Sequence, residues 1–166
     1  MPFSPLPKLI TNALTDITPE LLRSRGIKLL MLDFDNTIVP YTTNTPTEAM
    51  ERWLKEMAAS QEVQICVVSN SKKDRVKIFC AGYGIPCITH AKKPFTKGIR
   101  ECLTKFHMPA AQAALVGDQI YTDTLGANAA GIQSILVKAI DNHNFWLKAR
   151  HVLELPFIYA ARKRRL

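Results

Sequence analysis

The 166-residue sequence predicts an α/β fold, a three-layer sandwich in which helices cover both faces of a parallel β-sheet. Short apolar and β-branched runs, typical of strands that are buried on both faces, recur along the chain. Between these runs lie segments whose apolar residues are spaced as in amphipathic helices. Strands that alternate with helices pair in parallel through right-handed crossovers, which places the helices on both faces of the sheet.

The predicted elements follow one another from the N-terminus. Residues 1–15 are broken by three prolines and predict an arm without regular structure. Thr18 and Pro19 begin a short helix that runs to Ser24 and is closed by Gly26. Buried strands are predicted at 29–32, 63–68, 85–89, 113–116 and 134–137. We expect one domain over residues 1–166, with its core at about 26–138.

The helices between the strands have start and stop signals of their own. The sequence Thr45-Pro46-Thr47-Glu48 resembles a capping box with proline at the first helical position, followed by apolar residues at helical spacing. Ser71 is predicted to cap a helix over 72–81 that ends at two glycines. Another helix carries Ile99, Cys102, Leu103 and Phe106 on one face, and a small-residue helix begins at Asp123.

Composition limits the function classes. Hydrophobic and charged contents of 47% and 22% are ordinary for a globular protein. Four cysteines without CxxC spacing and four histidines without HxxxH spacing do not predict a zinc site. No apolar segment approaches the roughly 20 residues that span a bilayer, and the N-terminus does not resemble a signal peptide. We therefore predict a cytoplasmic protein and leave open a peripheral position at the inner face of the membrane.

The net charge of +8 is unevenly distributed along the chain. Six basic residues fall in the last 19 positions: Lys148, Arg150, Arg162, Lys163, Arg164 and Arg165. A basic tail attracts phosphate-bearing partners, nucleic acid or anionic lipid, although many such tails are only solvated. Segment 144–166 also interleaves aromatic residues with these charges, and Pro156 is expected to divide it into two short helical pieces. It suits either the boundary of an anionic bilayer or packing as a final helix.

Polar residues follow four of the predicted strands directly. Because ligands of open α/β sheets bind outside the carboxyl ends of the strands, these side chains should converge on one crevice. Side chains alternate along an extended segment, so Asp33 and Asp35 share a side and Phe34 points into the core. The residues that converge are Asp33 and Asp35 after the first strand, Ser69 after the second, Lys93 after the third, and Asp118 with Asp123 after the fourth.

This set of side chains supports phosphoryl transfer. Crowded carboxylates repel one another unless a cation lies among them. Oxygen ligands without histidine or thiolate select a hard ion such as Mg²⁺, which binds one or two carboxylates together with substrate phosphate. Ser69 and Lys93 would stabilise the phosphate oxygens. One carboxylate would attack phosphorus, and another would protonate the leaving oxygen and later activate water.

The stretches DFDNT, VVSN, KKP and GDQIYTD resemble, in order and spacing, the four motifs of the haloacid dehalogenase (HAD) superfamily. The sequence around them resembles subfamily IIIA phosphatases of the YqeG type, which in turn resemble phosphatidylglycerophosphate phosphatases. The resemblance covers about residues 26–138 and implies a Rossmann-like (HAD-like) sheet. Segments 38–61 and 71–90 are filled by ordinary elements, so we expect no large cap domain.

The resemblance also implies roles for individual residues. Asp33 is expected to be the nucleophile and Asp35 the general acid/base, with Asp118 as the acidic Mg²⁺ ligand. Asp33 and the backbone carbonyl of Asp35 would complete the protein's share of the metal shell. Ser69, Asn70 and Lys93 are expected to bind the substrate phosphate, with Lys93 preferred to Lys92 because the family's lysine commonly precedes the proline. Asp123 either ligates the metal directly or orients Asp118 without contacting the metal itself.

Two functions from different classes follow. The first is a Mg²⁺-dependent phosphatase that hydrolyses a phosphomonoester through an aspartyl phosphate, with a lipid phosphate such as phosphatidylglycerophosphate as the preferred substrate. The second is a nucleic-acid- or ribosome-associated binding protein that uses the basic tail and retains a vestigial HAD site. The complete set of motif residues weighs against the second.

Overall fold

The computed structural model describes residues 4–141 and 145–163 and contains one parallel six-stranded sheet. The strands in chain order are β1 (Leu9–Ile10), β2 (Leu29–Leu32), β3 (Gln64–Val68), β4 (Cys87–Ile88), β5 (Ala113–Gly117) and β6 (Gln133–Leu136). Their spatial order is β1-β6-β5-β2-β3-β4, and every pair is parallel. The predicted parallel α/β sheet is confirmed.

Helices cover both faces of this sheet. They are α1 (Pro19–Ser24), α2 (Glu48–Ala58), α3 (Arg75–Tyr83), α4 (Lys97–Lys105), α5 (Leu125–Ala129) and α6 (Phe145–Lys163). Alternate residues of β2 separate the two layers, because Leu30 and Leu32 pack with α1, α2 and α3, whereas Leu29 and Met31 pack with α4 and α5. The three-layer sandwich is therefore confirmed.

The strand order reverses between β2 and β5, and this reversal positions the site. From β2 the chain passes to β3 and β4 on one side and then crosses to β5 and β6 on the other side. The helices that follow two neighbouring strands then leave in opposite directions, which opens a crevice at the carboxyl ends of the strands. Segments 38–61 and 71–90 contain only loops, α2, α3 and β4, so no large cap domain interrupts the described fold.

The N-terminal arm departs from the prediction. Leu9 and Ile10 form β1, an edge strand that pairs with β6. The Lys8 and Thr11 N–H groups extend this pairing by donating to Ser134 O and Leu136 O, both at 3.0 Å. The prolines precede the strand, where no main-chain donor is required, and therefore do not prevent pairing.

Three helix starts were also predicted wrongly. Thr47, rather than Thr45, caps α2 by accepting an N–H from Met50, so Pro46 precedes the helix. Ser71 accepts an N–H from Lys73 in a local turn, and α3 begins only at Arg75. Asp123 lies inside a π-helical turn, Ile120–Thr124, that precedes α5 and does not begin a helix. Gly84, with a positive φ of 65°, ends α3.

Residues Phe145–Lys163 form one continuous helix, α6, which contains Pro156. The expected division into two pieces is wrong. Proline removes one main-chain donor, but Glu154 before it and Ala161 after it are both buried, and these contacts hold the two halves in line. Lys148, Arg150, Arg164 and Arg165 lie outside the described side chains. Among the described residues, no helix is both long enough and apolar enough to cross a membrane.

Candidate active site

A polar cleft lies at the carboxyl ends of β2, β3 and β5, where the strand order reverses. Its volume is about 170 Å³. The residues that line it are Asp33, Asp35, Tyr41, Ser69, Asn70, Ser71, Lys93, Gln119 and Thr122. Every residue for which we predicted a catalytic or phosphate-binding role is therefore on the cleft wall.

Asp33 is held at the end of β2. Its N–H donates to Val116 O at 2.9 Å, so the residue still belongs to the sheet while its side chain faces the cleft. Phe34, which follows it, is fully buried and packs edge-on against Phe79 with ring centroids 5.1 Å apart. The predicted alternation of Asp33 outward and Phe34 inward is present.

Thr37 contacts two of the carboxylates. Its hydroxyl oxygen lies 3.3 Å from Asp33 Oδ2 and 3.5 Å from Asp118 Oδ1, and the residue is 2% exposed. A threonine hydroxyl has one proton to donate, so it can stabilise either carboxylate in turn. Thr37 is the last residue of the DFDNT stretch, and its position in that stretch is the signal that could have predicted a role for it in the site.

Lys93 is the buried cation of the site. Its ammonium donates to Asp33 Oδ1 and to Asp123 Oδ1, both at 2.7 Å, while its side chain is 1% exposed. Burial alone would lower the pKa of Lys93, but the Asp123 and Asp33 carboxylates outweigh burial and raise that pKa. Lys93 therefore stays charged, whereas the side chain of the neighbouring Lys92 is exposed.

The loop before α4 aims the Lys93 side chain. Asn70 contacts the main chain of Lys93 twice, because its Oδ1 accepts the Lys93 N–H at 2.7 Å and its Nδ2 donates to Lys93 O at 2.9 Å. Lys92 has a positive φ of 57°, a conformation that non-glycine residues rarely adopt. At Gly98 a Cβ would lie 2.6 Å from Ala91 Cα, so only glycine lets α4 approach this loop. Asn70 thus connects the loops after β3 and β4.

Asp118 and Asp123 enter the site from the loop after β5. Asp123 is 2% exposed, and its Oδ2 accepts the Gln119 N–H at 3.2 Å while its Oδ1 contacts Lys93. A Cβ at Gly117 would lie 2.1 Å from Asp123 Oδ2, so a side chain there would displace this carboxylate. One oxygen each of Asp33, Asp118 and Asp123 lie within 4.8 Å of one another.

This carboxylate cluster suits a hard divalent cation. Burial and the neighbouring Asp33 carboxylate raise the pKa of Asp123 to about 7, although Lys93 acts in the opposite direction. When all three carboxylates are ionised, their three negative charges exceed the one positive charge of the ammonium that contacts two of them. All the donors are oxygens, which select Mg²⁺ or a similar ion over zinc. The residues therefore fit a metal of that class.

Asp35 has a charged partner that the sequence did not reveal. Its Oδ1 forms an ion pair with Nη2 of Arg75 at the start of α3. Arg75 Nη1 also donates to Asn44 Oδ1 at 3.0 Å, and the guanidinium lies 5.1 Å from the centroid of the Phe34 ring. Arg75 therefore connects α3 to both the Asp35 side chain and the loop before α2. No motif or spacing in the sequence marks this arginine.

The fold is similar to that of solved HAD-superfamily structures. The fold is similar to that of a HAD superfamily (subfamily III A) hydrolase from Legionella pneumophila, with a TM-score of 0.55 at 13% identity over 79% of this chain and 74% of that one. It is also similar to the cobalt-bound deoxy-D-mannose-octulosonate 8-phosphate phosphatase from Haemophilus influenzae, with a TM-score of 0.53 at 15% identity over 78% of this chain and 89% of that one.

A match to a family model identifies the family to which the chain belongs. The model described as mitochondrial PGP phosphatase matches residues 2–140, and the chain belongs to this family. It is also 34% identical over 132 residues to the probable phosphatase YqeG of Bacillus subtilis, a match that covers 80% of this chain and 76% of that protein. The predicted membership in the HAD superfamily and its YqeG-type branch is confirmed, as is the prediction of phosphatase activity.

Proposed function

We propose that the protein is a Mg²⁺-dependent phosphatase that hydrolyses a phosphomonoester through a phosphorylated Asp33. The observation that carries this proposal is the environment of Asp33. Its carboxylate faces the cleft at a strand end, with one oxygen on Lys93 and the other near Thr37. A carboxylate held in this way has a fixed direction of attack and cannot rotate out of the cleft.

Two half-reactions follow from the positions of Asp33 and Asp35. In the first, an Asp33 oxygen forms a bond to phosphorus while the bond from phosphorus to the ester oxygen breaks, and Asp35 gives a proton to the departing alcohol. In the second, Asp35 takes a proton from water as the water oxygen attacks phosphorus. The bond between Asp33 and phosphorus then breaks, which releases inorganic phosphate and restores both carboxyl groups.

Other residues of the cleft stabilise the phosphate. Ser69 Oγ accepts the Ser71 N–H at 3.1 Å, which directs its own hydroxyl proton elsewhere and suits donation to a phosphate oxygen. The Lys93 ammonium adds a fixed positive charge on the side of Asp33. We assign Asn70 to the same group, with the added task of holding the main chain of Lys93.

Asp33, Asp118 and the backbone carbonyl of Asp35 would hold Mg²⁺. When bound, the ion neutralises phosphate charge and polarises the bond to phosphorus. Asp123 is the most deeply buried of the three carboxylates, 2% exposed against 7% for Asp33 and 8% for Asp118. Its oxygens accept from Lys93 and the Gln119 N–H, so we assign Asp123 the role of orienting the ligands without contacting the metal.

A lipid phosphomonoester, phosphatidylglycerophosphate, is the substrate that we propose. The family name supports this class. The absence of a large cap over the described cleft also supports it, because an uncapped site accepts a phosphate that a large assembly presents. Membership in a phosphatase family does not favour the alternative of a nucleic-acid- or ribosome-associated protein with a vestigial site.

Helix α6 would bring the cleft to an anionic membrane. Its exposed residues include Val152, Leu153, Leu155 and Tyr159, followed by exposed Arg162 and Lys163. Apolar and basic side chains on one helix suit the lipid headgroup region, where each basic residue contributes about 1 kcal/mol. Sedimentation with anionic vesicles should fall when Arg162 and Lys163 are both replaced by glutamine, and most at low salt. Equal sedimentation of both proteins would contradict this orientation.

The function itself is tested by phosphate release from a panel of phosphomonoesters that contains phosphatidylglycerophosphate, sugar phosphates and nucleotides. We expect release that requires added Mg²⁺ and is fastest with the lipid. Preference for a sugar phosphate or a nucleotide would overturn the substrate, and release that is unaffected by chelation would overturn the metal requirement.

A further inference from the structure

The loop that carries Asp118 and Asp123 is held by the C-terminal helix. Glu154 of α6 is 2% exposed, and its Oε1 accepts the Ile120 N–H at 2.9 Å. Ile120 lies two positions after Asp118 and three before Asp123. A side chain that is 34 positions away in sequence therefore reaches the main chain between the two acidic residues of the site.

The Ile120 N–H needs a hydrogen-bond acceptor from outside its own loop. Ile120 is the first residue of the π-helical turn Ile120–Thr124, and the first N–H groups of a helical turn have no main-chain acceptor within it. Gln119, at the capping position, makes no capping hydrogen bond. Glu154, which lies on α6, provides the capping acceptor instead. A carboxylate is a favourable partner for the amino end of a helical turn.

A neighbouring contact joins the same two elements. The Tyr121 hydroxyl donates to Leu153 O at 3.4 Å, and the Tyr121 ring packs edge-on against Phe157 with centroids 6.3 Å apart. Consecutive residues of the loop, Ile120 and Tyr121, are thus fixed to α6. The far end of the turn is fixed to the site, because Asp123 contacts Lys93 and the Gln119 N–H.

We propose that Glu154 is a positioning residue for the metal site, so that α6 completes the site from outside the motif region. Without the acceptor on Glu154, the buried Ile120 N–H lacks this partner and the turn shifts toward water. Asp118 and Asp123, on either side of Ile120, would then lose their spacing relative to Asp33. This inference rests on the proposed metal site, and it assigns no contact between Glu154 and substrate or metal.

Substitutions at Glu154 separate the hydrogen bond from the charge. Glu154→Gln keeps an oxygen at the same place and removes the charge, whereas Glu154→Ala removes both. Glu154→Asp keeps the charge but retracts it by one methylene. Ala160→Ser, at an exposed position of the same helix, is the matched control.

The measurement is the affinity for Mn²⁺ alone, by calorimetry on the full chain, together with the free energy of unfolding in metal-free buffer. Loss of groups that orient metal ligands typically weakens metal binding by about 10- to 100-fold. We expect Glu154→Ala and Glu154→Asp to lose affinity by about tenfold or more. Glu154→Gln and Ala160→Ser should stay within about threefold of the wild type.

The outcomes separate this inference from the metal site. Wild-type affinity in folded Glu154→Ala would overturn the role of Glu154, and so would equal losses in Glu154→Gln and Glu154→Ala. If Glu154→Ala does not fold, the comparison of Glu154→Asp with Glu154→Gln decides the question in the same way. A wild-type protein that binds no Mn²⁺ would instead contradict the proposed metal site itself.

Discussion

Replacing Lys93 by methionine removes the ammonium that joins two buried carboxylates. Methionine has a similar length and an apolar end, so the substitution leaves little empty space and acts mainly on charge. In the wild type, Lys93 Nζ lies 2.7 Å from both Asp33 and Asp123. Removal of one partner from a buried ion pair typically costs about 3–5 kcal/mol, because the remaining charge stays desolvated. We expect a loss of that size at pH 8 in metal-free buffer.

The loss should depend on pH with a definite sign. The pKa of Asp123 is raised from its ordinary value to about 7 in the folded protein, so ionising this residue destabilises the fold as pH rises from about 4 to about 7. Without Lys93 the ionised form is still less favourable. The difference between Lys93→Met and the wild type should therefore be largest above pH 7 and smaller near pH 5, where Asp123 is protonated in both proteins.

Urea denaturation at pH 5 and pH 8 in the presence of chelator measures this difference. The matched control is Lys92→Met, the same substitution at the exposed neighbouring position, which should change the free energy of unfolding by less than about 0.5 kcal/mol. A Lys93→Met protein as stable as the control at pH 8 would refute the reasoning. A loss that grows toward pH 5 would refute it as well.

Four further substitutions test the assigned roles. Asp33→Asn should abolish turnover and leave the fold intact by circular dichroism, because the amide keeps the shape of the carboxylate but is not a nucleophile. Wild-type activity in this variant would exclude Asp33 as the nucleophile. The loss of activity in Asp118→Ala should become smaller as the Mg²⁺ concentration is raised, whereas added Mg²⁺ should not restore activity to Lys93→Ala. An identical response of the two variants to Mg²⁺ would contradict the division of roles. Arg75→Ala should lower kcat about 10- to 100-fold with little change in Mg²⁺ affinity, because Asp35 loses the partner that orients it; an unchanged kcat would remove Arg75 from the site.

Local sequence signals were sufficient for the strand ends. Apolar runs with polar residues directly after them located Asp33, Ser69 and Asp118, because parallel strands bring their carboxyl ends to one edge whatever the loops do. The choice of Lys93 over Lys92 came from the resemblance to the HAD family, whose lysine commonly precedes the proline. Because the strands are buried, their apolar runs define where each strand ends and which polar residue comes next. The structure brings these predicted residues together around one cleft.

Local sequence signals did not predict contacts between segments that are distant in sequence. The pairing of Leu9–Ile10 with β6 depends on an edge that exists only after the sheet has formed. Arg75 and Glu154 each interact with a group more than 30 positions away in sequence, and neither lies in a spacing that indicates its partner. Pro156 predicted a helix break from local propensity, but the tertiary contacts of Glu154 and Ala161 override that propensity.

The most direct test of the proposed mechanism is the covalent state of Asp33 during turnover. The wild-type protein is mixed with Mg²⁺ and the best substrate of the panel, quenched in acid within the first turnovers, and digested for peptide mass spectrometry. We predict phosphate on Asp33 in the wild type and none in Asp33→Asn. Turnover without phosphate on Asp33, or phosphate on Asp35 instead, would contradict the mechanism.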